Sequence, residues 1–396
     1  MNNKQHIYLA SPHMSEEGYE QAYIKEAFDT NWIAPLGKNV NEFEKEMAEK
    51  LGAKKAVALS SGTAAIHMAL KLIGIQTGDI VFCQSLTFAA SVNPVLYENG
   101  TPVFIDSEPD TWNMCPDALE KAFKKYEALG MIPKAVIAVH LYGNCGKIEE
   151  IAAVCKKYSV PLIEDAAESL GTTCNGQYTG TFGDYGIISF NGNKIITSSG
   201  GGMLLVNTLD AEEKAKKVVF WSTQARDTAK WYQHSEIGYN YRMSNVVAGI
   251  GRGQLKVLDK RVEQKRAIYD YYNKILGTLD GFHLMPKDKV GTSNCWLTAM
   301  TLDEETKVKP LEIMEELEKD DVESRPVWKP LHLQPVFAEC DFVSLVEEMI
   351  VTDKEMGADN SVSGKIFRNG LCIPSDTKMT EEDMERVCSV IKRMWE

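Results

Sequence analysis

The 396-residue chain reads as an α/β protein. We expect a large domain on a central, mostly parallel sheet flanked by helices, then a smaller C-terminal α+β domain. Three observations predict this. Up to about Val206, short continuous apolar runs alternate with amphipathic segments, as strands covered on both faces alternate with crossover helices. After Ser244 that alternation gives way to one long helical stretch, and after about Asp280 short strands mix with helices. The length suits two to three domains at ~150 residues each, and 44% apolar with 25% charged residues is ordinary for a well-buried core.

The elements follow in order. Ala56–Leu59 (AVAL) reads as a strand and Ala64–Ile73 as the helix after it. A strand is expected near Ile80–Cys83, a helix from Ala89 and a strand at Val103–Ile105. Pro116, whose fixed φ suits a first helical turn, opens a helix to about Leu129. Ala135–His140 is a strand, Ile148–Tyr158 a helix, and Val160–Ile163 and Tyr185–Ile188 are strands. Asn245–Ile275 reads as one long helix linking the domains. Beyond it, Trp296–Leu302 is expected as strand, with helices at Pro310–Glu318 and Glu381–Met394. These elements divide the chain into residues 15–258, residues 259–396 and an N-terminal segment, 1–14.

Composition narrows the function. Lys and Arg number 43 against 56 Asp and Glu, a net charge of −13. That balance disfavours phosphate backbones and anionic membrane surfaces, although a local pocket can still hold an anion. No apolar run approaches the ~18 residues that would suggest a membrane span, and the start lacks the apolar run of a signal peptide. Nine cysteines, odd in number, scattered and never CxxC, argue for reduced thiols over a disulfide framework or a zinc site. A cytoplasmic protein is expected.

In α/β sheets ligands lie beyond the carboxyl ends of the strands, and three such ends carry chemistry. Ser60-Ser61-Gly62-Thr63-Ala64-Ala65 follows the first strand and opens a helix. Gly62 permits close approach, Thr63 adds a hydroxyl, and helix-start amides attract an anion such as phosphate. An ordinary helix cap reads the same way. Glu164-Asp165-Ala166-Ala167-Glu168 ends another strand. Its alanines leave room for a flat ligand, and its buried acid needs a partner: a protonated pyridine nitrogen, a basic side chain or a helix start. Ser189-Phe190-Asn191-Gly192-Asn193-Lys194 sets a lysine at the sheet's rim. Most lysines are solvated surface charges, but one in a tight site loses its proton readily and forms an imine with an aldehyde.

Taken together, a phosphate cup, a carboxylate for a pyridinium and an imine-forming lysine are what a protein must supply to pyridoxal 5′-phosphate. Asp165 would keep the ring nitrogen protonated, Lys194 would hold the aldehyde carbon, and Gly62, Thr63 and Ser189 would form the phosphate cup. The 29 positions from Asp165 to Lys194 allow a crossover and a return to the same rim. Phe88 could stack on the ring or belong to the core.

The chain resembles the DegT/DnrJ/StrS family of sugar aminotransferases, nearly end to end. The segments that carry the resemblance are SPHMS (Ser11–Ser15), NWIAPLG (Asn31–Gly37), SSGTAA, EDAAESLG (Glu164–Gly171), SFNGNK, GYNYRMSN (Gly238–Asn245) and WKPLHLQPVF (Trp328–Phe337). It implies the fold-type-I architecture of PLP-dependent transferases and a shuttle between pyridoxal and pyridoxamine 5′-phosphate. The subgroup most similar acts on a nucleotide-linked 4-keto-6-deoxy-N-acetylglucosamine, with L-glutamate as donor. The resemblance further implies a homodimer with shared sites, in which Asn240 reaches the neighbouring subunit's cofactor phosphate. His13, Trp32, Asn191 and His332 match sugar-nucleotide pocket positions, although His13 and His332, read alone, suit structural roles. Near the cofactor's phenolic oxygen many relatives carry Gln or His, and this chain has Glu168. Lys194 separates the chain from related sugar dehydratases, which have His there; an aminotransferase for a 3-keto sugar and a non-catalytic scaffold or sensor are the alternatives.

Overall fold

The computed structural model describes residues 5–287, 289 and 291–396. Alternate residues of each main strand serve opposite faces. Val57, Val81, Ile137, Ile163, Ile187 and Leu204 pack under the helix Gly62–Ile73. Phe82, Val103, Val136 and Ala138 meet the helices Pro116–Ala128 and Ile148–Tyr158 on the other side. Farther along that side, Ala56, Ala58, Ile188, Met203 and Leu205 meet Lys38–Leu51. Continuous apolar strand sequences follow from this two-sided cover.

The sheet has eight strands, in the order Lys55–Leu59, Gly202–Val206, Tyr185–Ser189, Leu162–Asp165, Ala135–Val139, Ile80–Gln84, Thr101–Ile105 and Phe342–Val343. Gly202–Val206 runs against both its neighbours; the other adjacent pairs are parallel. The strand ends near Leu59, Asp165 and Ser189 therefore open on one rim. Phe342–Val343, from the last third of the chain, pairs with Phe104 and Ile105 and closes one edge.

A second, antiparallel sheet has the order Phe282–Leu284, Thr298–Leu302, Gly370–Ile373 and Arg325–Pro326. Tyr272, Met300, Leu317, Leu371 and Ile391 fill its core with the help of the helices Leu258–Leu276, Pro310–Lys319 and Glu381–Lys392.

The expected helix Asn245–Ile275 is two helices, Asn245–Leu255 and Leu258–Leu276. Lys256 N and Val257 N bond back to Gly253 O and Gln254 O, a tighter turn that re-aims the chain. The first helix is thin where it meets its neighbours: a Cβ on Gly253 would come 2.5 Å from Glu20 N, and one on Gly251 2.6 Å from Phe43. The second turns Ile268, Tyr272 and Leu276 toward the smaller core. The helix expected from Ala89 is one 3-10 turn, Ala89–Ser91, and the short helix Asn93–Tyr97; Pro94 lacks the N–H that would continue a ladder. Among the described residues no helix is long and apolar enough to cross a membrane.

Candidate active site

Three strand ends, the Thr87–Ser91 segment and two tryptophans enclose a cavity of about 390 Å3. Ser61 caps the helix Gly62–Ile73, its Oγ accepting from Ala64 N at 3.0 Å. The amides of Gly62 and Thr63, in the first turn, have no acceptor within the helix. A Cβ on Gly62 would lie 3.3 Å from Ser189 Cβ, so the glycine lets this cup close against the strand that carries Ser189. Ser60 N donates to Tyr241 O at 2.7 Å, and Arg242 bonds Glu44 and, at 3.0 Å, Ala58 O. The GYNYRMSN segment thus braces the strand that leads into the cup.

The adjacent acids Glu164 and Asp165 are the last two residues of their strand, so they face opposite sides. Glu164 is fully buried and accepts from the backbone of Gly180, Phe182 and Gly183 at 2.6–2.8 Å and from His140 Nε2 at 3.0 Å. It anchors the turn before Tyr185–Ser189. Asp165 lines the cavity, accepting from Ser91 Oγ at 2.7 Å and Ala167 N at 3.1 Å. Thr87 Oγ1 lies 2.8 Å from Ser91 Oγ. Among the described residues no lysine or arginine makes a salt bridge to Asp165.

Lys194 reaches the same cavity from the loop after Ser189. Its Nζ lies 3.7 Å from Glu168 Oε1 and 4.1 Å from the centroid of a Trp296 ring. Trp296 is held by its indole N–H, which donates to Asn193 O at 2.7 Å. Burial pushes the Glu168 carboxyl up from its usual value; Lys194 and the Tyr142 N–H, which donates to Oε2 at 2.7 Å, oppose that rise. Phe88 lies at the mouth against Trp328, with ring centroids 5.5 Å apart.

The structure brings Gly62, Thr63, Phe88, Asp165, Glu168, Ser189, Asn191 and Lys194 to this one cavity. Four other expected residues lie elsewhere. His13 bonds Thr377 Oγ1 at 2.8 Å and gives its carbonyl to Gln254 and Arg261. Trp32 is half exposed, with its carbonyl bonded to Asn245. Asn240 is exposed and bridges to Thr223. The His332 side chain is enclosed between Ser85 and Asp359. Ser91 and Trp296, which no quoted motif contains, also line the cavity, as does Trp328, which opens the WKPLHLQPVF motif.

The residues present fit pyridoxal 5′-phosphate. The glycine-lined cup at a helix start suits a phosphate. Asp165, buried and bonded among the described residues to neutral donors, suits a protonated ring nitrogen. Ala167, with its small side chain, lines the same enclosure as Phe88 and Lys194.

A model of the DegT/DnrJ/EryC1/StrS aminotransferase family matches residues 14–392. The chain is 53% identical over 389 residues to EpsN of Bacillus subtilis (strain 168), which carries the name of a pyridoxal phosphate-dependent aminotransferase; the match covers 98% of this chain and 96% of EpsN. It is 34% identical over 397 residues to the GDP-perosamine synthase of Caulobacter vibrioides, covering 100% of both. The crystal structure of a DegT/DnrJ/EryC1/StrS aminotransferase from Brucella abortus matches with a TM-score of 0.83 at 26% identity, over 96% of this chain and 95% of that one. Fold and site define a PLP-dependent sugar aminotransferase. The chain belongs to the DegT/DnrJ/EryC1/StrS aminotransferase family.

Proposed function

We propose that the enzyme moves the amino group of L-glutamate to the C4 keto group of a UDP-linked 4-keto-6-deoxy-N-acetylhexosamine. The product is a UDP-4-amino-4,6-dideoxy sugar for glycan or exopolysaccharide synthesis. One observation carries the reaction type: Lys194 Nζ, 3.7 Å from Glu168, shares a cavity with Asp165 and the helix-start cup. The choice of sugar is supported by the resemblance of EDAAESLG and its companion motifs to the amino-sugar subgroup.

When bound, the cofactor supplies an aldehyde that condenses with amines and a ring that delocalises the electron pair left by a departing proton. Lys194 acts as the base at the donor's α-carbon and as the acid that delivers a proton to the sugar's C4. Asp165 holds the proton on the ring nitrogen. The amides of Gly62 and Thr63 and the hydroxyls of Thr63 and Ser189 bind the phosphate, and Phe88 covers the ring. His13, Trp32 and Asn191 serve the sugar nucleotide. Asn240, exposed on its own chain, completes the phosphate cup of a second subunit in a homodimer.

The test is a panel of nucleotide-linked 4-keto and 3-keto sugars, incubated with enzyme and glutamate and read by mass spectrometry. The UDP-linked 4-keto-6-deoxy-N-acetylhexosamine should gain the amine. The relative named GDP-perosamine synthase makes a GDP-linked 4-keto sugar the strongest competing arm. Amination of that sugar or of a 3-keto sugar alone would overturn the substrate reading and leave the enzyme class standing.

A further inference from the structure

His332 is committed on both ring nitrogens and on one face. Nε2 lies 2.9 Å from Asp359 Oδ2, Nδ1 lies 2.6 Å from Ser85 Oγ, and the ring stacks on Phe342 with centroids 3.6 Å apart. Its side chain is 5% exposed. Burial alone would raise the Asp359 carboxyl, but hydrogen bonds from His332 and Ser361 bring it below its usual value. Asp359 is therefore the ionised acceptor. In the neutral ring Nε2 carries the proton, and Nδ1 accepts that of Ser85. Ser85 Oγ also accepts the His332 backbone N–H at 3.4 Å, and Ser85 O accepts from Leu331 N at 2.8 Å. The order of groups is that of a hydrolytic triad. Ser85, however, is fully buried, so no substrate carbonyl reaches it.

What this relay holds is the start of one wall of the cavity. Thr87 N turns back to Ser85 O at 3.0 Å. Phe88 follows, and Thr87 Oγ1 meets Ser91 Oγ, which donates to Asp165. The cover of the ring and the support of its acid hang from a single turn whose entry is clamped by His332.

We propose that His332 is a positioning residue for transamination: through Ser85 and Asp359 it fixes the Ser85–Ser91 turn, and with it Phe88 and the Ser91–Asp165 bond, without contacting the sugar nucleotide. The resemblance that motivates a sugar contact for His332 makes the opposite forecast, and the two readings separate cleanly.

The variants are His332→Gln and Asp359→Asn, studied as holoenzymes. Three quantities are read: loss of the visible cofactor band during dialysis, the rate of the glutamate half-reaction with no sugar present, and the KM for the sugar nucleotide. A positioning role predicts about tenfold faster cofactor loss, a half-reaction slowed by a similar factor, and a KM changed less than about twofold. Unchanged cofactor retention and half-reaction, with KM raised, would overturn it. Should His332→Gln fail to fold, Asp359→Asn decides by the same criteria, because it keeps the histidine and the shape of the pair. Cofactor retention depends on neither the donor nor the sugar, so its outcome is separate from that of the proposed substrates.

Discussion

The floor of the cavity and its margin are built differently. Asp165 and Glu168 at the floor are each 5% exposed and hydrogen-bonded within the chain. At the mouth Phe88 is 55% exposed, while Trp32, outside the cavity, is 51% exposed. The two acids of the floor are thus fixed within the chain, whereas Phe88, Trp32 and Asn240 stand exposed. The contrast teaches that changes at the floor should act on chemistry and folding, and changes outside it on recognition and assembly.

The hardest blow to the floor is Lys194→Ala. Turnover should fall by about 10^3-fold or more, while cofactor still binds through the cup and Asp165. Steady-state assays together with absorbance after gel filtration check both halves, and substantial turnover would show that another group does the proton transfer.

The neighbouring acids sharpen the comparison within the floor itself. Glu164→Ala strands three backbone amides, two of them on buried residues, and the buried His140, and should cost about 3 kcal/mol of stability, read by urea unfolding. Asp165→Asn keeps the shape and should leave stability within about 1 kcal/mol, yet lower kcat by about 100-fold. Equal effects of the two on stability would mean that their division of labour is wrong.

Asn240→Ala tests the region outside the cavity. If Asn240 serves a partner's phosphate, its loss should weaken cofactor retention by about 1.5–3 kcal/mol with the fold intact. Once that impairment is confirmed, Asn240→Ala and Lys194→Ala homodimers exchanged into heterodimers should regain activity, since one of the two sites then carries neither substitution. No recovery after verified exchange places Asn240 in its own subunit's site.

The smallest effect concerns pH. Glu168 has a raised carboxyl pKa in the folded chain, chiefly from burial. Between its ordinary value and the raised one the folded state holds the extra proton, so its contribution to stability falls as pH rises through that window. Glu168→Gln removes this titration. The variant's midpoint relative to wild type should climb from mildly acidic to neutral pH in thermal melts; a flat difference would show that the burial is compensated.

Much of this site is legible in the sequence because residue type and spacing are local signals. The cup, Asp165 and Lys194 each follow an apolar strand within a few residues, and the sheet delivers those strand ends to one rim. What is not legible depends on packing between distant segments. Trp296 covers Lys194 from the bend before a strand of the second sheet, Ser91 supports Asp165 across 74 positions, and Phe342–Val343 returns to the main sheet from the last third of the chain. Glu164 and Asp165 are equivalent as letters; strand geometry alone assigns one inward to the turn and the other to the cavity. The break at Lys256 is hidden because the helical periodicity runs through it, while the packing of Gly251 and Gly253 sets the direction of the first helix.

The reversed strand Gly202–Val206 has a mechanical consequence. It pairs Ser189 with Gly202 on one side and Leu59 with Gly202 on the other, and a Cβ on Gly202 would come 2.2 Å from the Ser61 backbone. The loop bearing Lys194 and the cup bearing Thr63 thereby follow two strands that flank the same residue of the sheet. The distance between that cup and that loop is gauged by strand spacing, like the jaws of a fixed caliper. Residue 202 has no room for anything larger than hydrogen, so those jaws keep their setting.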